Sequence, residues 1–328
     1  MPHLPVRVSV HESRTFPNCC DPLRPTATVA LWDSPGVTSS SAPRYALVQA
    51  VRPRQWTKNL VVLAAPAFAG ELDNVVSVGR TLLTIVLFTM AASAVYLVND
   101  VLDVVEDRAH PTKRFRPVAA GRLAPRTALA VGIVLMVLAT AISLVLAWQL
   151  AAVIGAYCLV NVAYSVVLKD EPVIDIAVIA LGFLLRAVAG GVACDISLSQ
   201  WFLLIASFGS LFMAAGKRYA EIHLEVEGSP VTRPSLSKYS PTYLRFVWST
   251  SAALLIMSYS LWAFEISVPG PVPWTELSMV PFVLAVLRYA VDVDAGVAGE
   301  PEEIALRDRV LQSFALVWVA MIVLAVYG

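Results

Sequence analysis

Charge is scarce in this chain. Asp, Glu, Lys and Arg make up 15% of its 328 residues, against about 25% in an ordinary soluble domain. Cysteine is scarcer still. Cys19, Cys20, Cys158 and Cys194 show neither disulfide nor metal-ligand spacing, which excludes a disulfide scaffold and a zinc module. Cys158 and Cys194 read as small apolar filler, and the Cys19-Cys20 pair as unpaired thiols. No Gly-rich phosphate loop and no Ser/His/Asp or Cys/His arrangement is present, so P-loop and triad chemistry are excluded. The basic loops lack the aromatic interleaving of a nucleic-acid surface, so no nucleic-acid partner is expected. Residues 1–45, rich in Pro, Ser, Thr and Arg, lack the continuous apolar core of a signal peptide and read as a disordered cytoplasmic tail.

What is abundant is apolar length. The chain is 58% hydrophobic, and runs of about 20 apolar residues recur through most of it, as a polytopic membrane protein requires. The expected architecture is all-α, with about nine transmembrane helices in residues 46–328. These are predicted near 56–70, 79–107, 124–146, 149–168, 173–193, 199–226, 240–264, 275–292 and 306–327. Pro66, Pro172 and Pro281 fall near predicted helix starts or kinks. Trp148, Trp201 and Trp274 lie near span ends, as an aromatic belt would place them. Basic residues collect on alternate connections: Arg52, Arg54 and Lys58 before the first span, the loop after span two, Lys169, Lys217 to Arg245, and Arg288 to Arg309. The remaining loops hold almost none. The positive-inside rule then puts the N-terminus and the charged loops in the cytoplasm and the C-terminus outside.

The charges cluster at span ends. Span two closes on Asn99-Asp100-x-x-Asp103-x-x-x-Asp107, with Glu106 alongside. Steps of three and four put Asp100, Asp103 and Asp107 on one helical face. Like charges so close repel unless a cation sits among them, and Mg²⁺, which takes carboxylate oxygens and shares substrate phosphates, is the natural one. The plainer reading, a solvated acidic helix end, fits poorly because this helix is a membrane span. The loop His110-Pro-Thr-Lys113-Arg-Phe-Arg116-Pro supplies phosphate donors, although positive-inside topology alone would also put bases here. His110 reads as a loop or capping residue and not as a base. A smaller echo follows at Lys169-Asp170-Glu171-Pro172-Val173-Ile174-Asp175, after Tyr164 at the end of span four. Arg186 lies about three turns into span five, where a charge is a functional candidate by default, with a structural ion pair as the alternative. Span six ends in Lys217, Arg218 and Glu221. Five charged junctions could thus converge above an apolar bundle, which suits a water-soluble polyphosphate meeting a lipid.

The NDxxDxxxD motif at Asn99–Asp107, the opening RPRQWTKN and the second acidic patch resemble the UbiA superfamily of intramembrane prenyltransferases, over about residues 50–327. Within it, SAVYLVNDV, HPTKRFRP, LRAVAGGVA, WFLLIASFGSLFMAAGKRYAE, TYLRFVW, LRYAVDVD and AGEPEEIALRDRVLQ are most similar to the actinobacterial decaprenyl-phosphate phosphoribosyltransferases. The resemblance implies a UbiA-type bundle with a central cavity open to the cytoplasm. It implies transfer of 5-phosphoribosyl from phosphoribosyl pyrophosphate to decaprenyl phosphate in the plasma membrane, feeding cell-wall arabinan synthesis. It also implies Mg²⁺ at Asp100, Asp103 and Asp107, with Asp175 as a candidate further ligand. The second motif departs from the superfamily's DxxxD, because Glu171 stands where the first Asp would be, which leaves one metal or none there. Asp100, Asp103, Asp107 and Asp175 are then the catalytic candidates. The substrate-binding candidates are Lys58, Asn99, Lys113, Arg116, Tyr164, Lys169, Glu171, Arg186, Lys217, Arg218 and Glu221. Rival readings are an aromatic prenyltransferase of quinone or haem pathways and a cation-binding transporter; the adjacent basic loop weighs against the latter. Monomer and homo-oligomer stay equally open.

Overall fold

The computed structural model describes residues 43–169, 171–226, 236–266, 271–296, 304 and 307–328. Most of the expected tail, Cys19, Cys20, Asp170, Arg233 and part of the last charged segment lie outside the described residues. Every regular element among the described residues is helical. A first helix, α1 (Pro43–Ala50), begins inside the stretch expected to be tail. It leads to a 3-10 segment, Pro53–Leu63, and a short α2 (Ala64–Phe68). Asn74 then caps α3 (Val75–Leu102), its side chain accepting from the amides of Val76 and Ser77. With 28 residues, α3 is about 42 Å long at 1.5 Å per residue, more than the roughly 30 Å of hydrocarbon. It breaks at Asp103 and resumes as α4 (Val104–Ala109). The expected single helix over 79–107 is therefore two.

Next come α5 (Pro125–Leu146) and α6 (Trp148–Ala163), the latter running on as a π-turn over Tyr164–Leu168. They are followed by α7 (Ile174–Ala193) and α8 (Gln200–Val226). Ser240 caps α9 (Pro241–Glu265) through the Tyr243 amide. A four-residue α10 (Trp274–Leu277) precedes α11 (Met279–Asp294), and Asp308 caps α12 (Arg309–Tyr327). Pro66 and Pro281 are each the third residue of a helix and Pro172 precedes α7, positions where a missing N–H costs no ladder bond.

Among the described residues, six helices are long and apolar enough to span a membrane: α3, α5, α6 with its π-turn, α7, α9 and α12. The other three expected spans differ in form. The first is a 3-10 segment plus five α-helical residues. The eighth is divided at Ser278. The sixth is one 27-residue helix whose second half carries Lys217, Arg218 and Glu221.

The apolar core has two main clusters. One joins the 3-10 segment, α3, α5, α6 and α7 around Val62, Phe88, Leu150 and Ile154. The other joins α7, α8, α9 and α11 around Phe212, Tyr219, Leu244 and Val293. Large apolar side chains such as Val145, Leu159 and Leu316 remain exposed, as they would facing lipid. Gly190 of α7 sits so close to the 3-10 segment that a Cβ there would lie 1.9 Å from the Val62 carbonyl oxygen. Gly190→Ala should therefore push the segment away at a cost of about 1–3 kcal/mol, in the range of overpacked cores. Gly182→Ala, whose Cβ would meet nothing nearer than 3.5 Å, should be tolerated. Thermal unfolding in detergent checks this: the midpoint should fall by several degrees for Gly190→Ala alone.

A candidate active site at the charged end of the bundle

Helices that alternate in direction bring the C-terminal end of α3, the turn after α6, the start of α7 and the charged half of α8 to one end. Asp100 and Asp107 are almost fully buried there, at 1% and 3% exposure. Burying a carboxylate is costly unless it is paired, and both share Arg116. Its Nη1 is 2.7 Å from Asp107 Oδ2 and 3.4 Å from Asp100 Oδ1. Arg52 also donates to Asp100 Oδ1. It reaches in from a left-handed backbone conformation (φ 53°) directly before the 3-10 segment. Asp103 goes another way, since the break in α3 turns it toward Lys169, whose Nζ lies 3.0 Å from Oδ1. Lys169 Nζ is also 3.8 Å from Glu106. The expected single acidic face is thus divided, and its middle carboxylate ties the first patch to the second.

The second patch is built around Asp175, which has no solvent exposure. Arg218 straddles it, with Nε 2.5 Å from Oδ2 and Nη2 2.6 Å from Oδ1. The remaining arm, Nη1, is 2.5 Å from Glu221 Oε2. The π-turn rotates Tyr164 so that its hydroxyl donates to Asp175 Oδ1; single-turn π insertions often occur at functional sites. Glu171 is exposed, with Lys238 3.8 Å away. Asn99 is half-buried and its carbonyl accepts from the Asp103 amide. Lys58, Lys113 and Lys217 are half-buried on the 3-10 segment, the basic loop and α8.

Other loop bases maintain the loop itself: Arg108 Nε donates to the Ala119 carbonyl at 3.2 Å and Arg122 to Phe115 at 2.7 Å. His110 Nδ1 accepts from the amides of Thr112 and Lys113, each at 3.2 Å. It caps the turn, as expected. Arg186 is not brought to the acids. Eleven residues beyond Asp175, it sits about 16 Å away along the helix. Its three nitrogens meet Asn59 Oδ1 at 2.8 Å, the Gly182 carbonyl at 2.7 Å and the Tyr157 hydroxyl at 3.0 Å. Arg52 and Tyr239 were not among the candidates from the sequence. Only the Arg-rich opening pointed toward Arg52, and nothing local marked Tyr239, whose hydroxyl accepts from the Val173 amide at 2.6 Å.

Apolar spaces lie along the bundle. One apolar cavity of about 320 Å³ lies among Ala65, Phe68, Phe183, Phe202, Trp262 and Trp318. A groove of about 650 Å³ runs between the 3-10 segment and α3 past Trp56, Leu60, Met90 and Ser93. The groove also passes Val51, next to Arg52, so the site can hold a phosphorylated polar molecule against an apolar chain.

Such a fold and site define an intramembrane transferase, and the chain belongs to the UbiA prenyltransferase family, whose model matches residues 60–302. It is 52% identical over 284 residues to the decaprenyl-phosphate phosphoribosyltransferase of Mycobacterium tuberculosis, covering 85% of this chain and 94% of that protein. It is 51% identical over 287 residues to that of Corynebacterium glutamicum, covering 86% of each. Its fold is similar to a UbiA homolog from Archaeoglobus fulgidus bound to GPP and Mg²⁺, with a TM-score of 0.66, 14% identity, and 86% and 100% coverage. Whether a divalent ion suits this chain can be judged from its donors. Among the described residues no three His, Cys, Asp or Glu side chains stand close enough to hold one; Arg52, Arg116 and Lys169 pair with the carboxylates. Yet Asp100 Oδ2 is buried without a hydrogen-bond partner. An orphaned, buried carboxylate oxygen, with Asp107 on the same arginine, is the hard-oxygen kind of donor that fits Mg²⁺.

His110 generates a prediction of its own. Burial first, and then the charge of Lys113, hold its pKa below the usual value. The ring is neutral at pH 7 and serves as an acceptor. Its contribution to stability is therefore complete above the unfolded pKa of about 6.5 and is lost as pH falls through the lower folded value. In an NMR titration of histidine-labelled protein, the His110 resonance should show a midpoint below 6.5.

Proposed function

We propose that this protein transfers the 5-phosphoribosyl group of phosphoribosyl pyrophosphate to a polyprenyl phosphate, decaprenyl phosphate being the acceptor in the names of its relatives. The observation that carries the reading is the joining of two charged patches over an apolar interior. Asp103 and Lys169 link the patches, and Arg218 grips Asp175 with both donors. A phosphate oxygen of the lipid attacks C1 of the ribose, the bond from C1 to the pyrophosphate oxygen breaks, and pyrophosphate departs with its electron pair. The nucleophile is already anionic at neutral pH, so no general base is needed, in keeping with His110 serving as a turn cap. Lys58, Lys113, Arg116, Lys169 and Lys217 neutralise phosphate charge that develops on the leaving group. Asp175 fixes the Arg218 fork, and Tyr164 holds Asp175. The apolar groove that passes Val51, beside Arg52, takes the isoprenoid chain.

Asp100, Asp103 and Asp107 are the residues that would hold Mg²⁺, with Asp175 as a candidate fourth. The ion would supply charge neutralisation for the pyrophosphate when bound. The charged end faces the cytoplasm on the positive-inside argument, where phosphoribosyl pyrophosphate is available, in a plasma-membrane protein feeding arabinan synthesis for the cell wall. Family membership alone would also admit prenyl transfer to an aromatic ring; the half-identical relatives favour the phosphoribosyl reaction.

Purified protein given Mg²⁺, radiolabelled phosphoribosyl pyrophosphate and decaprenyl phosphate should form labelled lipid. Absence of labelled lipid, together with turnover of a prenyl diphosphate and an aromatic acid, would refute the proposal. Asp103→Ala should lower turnover at least 1,000-fold while the protein still elutes folded in detergent; near-normal turnover would remove Asp103 from the metal set.

A further inference from the structure

The start of α7 contains a backbone conformation that a β-branched residue rarely adopts. Val173 has φ 69° and ψ −52°, the positive-φ form of a γ-turn, closed by the Ile174 amide donating to the Pro172 carbonyl at 2.8 Å. The turn sits between two acidic residues of its patch. Glu171 precedes it, Asp175 follows it, and the Asp175 amide donates back to the Glu171 carbonyl at 3.1 Å. Val173 cannot relax to negative φ without swinging the segment that carries Lys169 and Glu171 relative to Asp175. Its amide meets a distant partner, the Tyr239 hydroxyl, at 2.6 Å. Tyr239 is buried. Its ring stacks on Tyr243, with centroids 5.9 Å apart and planes at 16°, and its own amide donates to the Leu236 carbonyl at 3.1 Å. The latch is therefore anchored on the segment leading into α9. The neighbouring Lys238 reaches Glu171 from the same segment.

We propose that Tyr239 is a positioning residue: its hydroxyl holds the strained Pro172–Ile174 turn closed and so sets where Lys169, Glu171 and Asp175 stand relative to one another. The inference rests on the phosphoribosyl-transfer reading only in that these three residues serve that site. It also says why a valine is tolerated there. Local strain persists where surrounding structure over-determines it, and such positions gather at functional sites.

Four proteins test the proposal: the wild type, Tyr239→Phe, Val173→Gly and the double variant, each assayed for labelled lipid and by hydrogen exchange in detergent. Tyr239→Phe should lower kcat at least tenfold and speed exchange in the peptide spanning residues 169–176, with the unfolding midpoint nearly unchanged. Glycine adopts positive φ without strain, so in the Val173→Gly background the same substitution should cost less than threefold. Tyr239→Phe within twofold of the wild type would overturn the proposal. So would an equal loss in both backgrounds, which would mean that Tyr239 acts other than through the turn. Should the wild type itself form no labelled lipid, the functional reading fails, and exchange at residues 169–176 alone decides the latch: unchanged protection in Tyr239→Phe would overturn it.

Discussion

The whole charged end depends on one constraint: Asp175 is completely buried and must be paired. Arg218 answers it with two donors, and both partners are almost wholly removed from solvent. A buried ion pair of this kind stabilises little in itself, because desolvation offsets most of the attraction. Breaking it is a different matter, since an isolated charge would be left in a low-dielectric interior at a cost of about 3–5 kcal/mol. The pair therefore acts as a geometric lock between α7 and α8. The other site contacts are arranged around it: Tyr164 on one oxygen, Glu221 on the free arm of Arg218, and the Val173 turn two residues upstream.

Much of the irregular backbone lies at the same end, although Asp195, with φ 57°, follows the other end of α7. At the charged end α3 breaks at Asp103, α6 ends in a π-turn, Arg52 has left-handed backbone and Val173 forms a strained turn. Each positive-φ residue other than glycine costs on the order of 1–3 kcal/mol. Lipid forbids such backbone unless protein or a cavity covers it, and here it stands at span ends, beside the charged residues. The consequence is a set of side-chain directions that regular helices could not produce. The break sends Asp103 to Lys169 while Asp100 and Asp107 go to Arg116. The π-turn aims Tyr164 at Asp175. The left-handed Arg52 reaches under the loop to Asp100.

These irregularities also explain what could be read from the sequence. The apolar runs located α3, α5, α6, α7, α9 and α12, because 20 uncharged residues have one stable form in lipid. The acids and bases mark the end where the structure pairs them, and Arg116, Lys169, Arg218, Glu221 and Tyr164 stand out by their position at span ends. Periodicity failed where the backbone departs from it. A regular helix was expected to put Asp100, Asp103 and Asp107 on one face, and no Pro or Gly announces the break after Leu102. The first expected span is a 3-10 segment whose composition is that of a short helix. Tyr239 and Val173 are 66 residues apart, and no local spacing connects them.

Arg186 shows how a charge inside a span should be judged. It is 5% exposed, and among the described residues no carboxylate pairs with it. Its acceptors are neutral, and the faces of Phe88, Tyr157 and Phe183 lie 5.6, 4.8 and 5.7 Å from the guanidinium carbon, supplying the diffuse negative field of aromatic rings. The bonds run outward to the parts that most need them. Asn59 belongs to the 3-10 segment and itself donates to Thr89 of α3 at 2.9 Å, so one arginine fastens α7 to α6, to α3 and to a segment without an α-helical ladder. One turn further along α7, Gly190 lets the Val62 carbonyl of that same segment approach its backbone. A guanidinium suits this joint because its donors are fixed in a plane and satisfy several carbonyl-type acceptors at once. Depth in the membrane made Arg186 a candidate for chemistry. The partners of its three nitrogens hold the first segment in place, and with it Arg52, which directly precedes that segment and reaches Asp100.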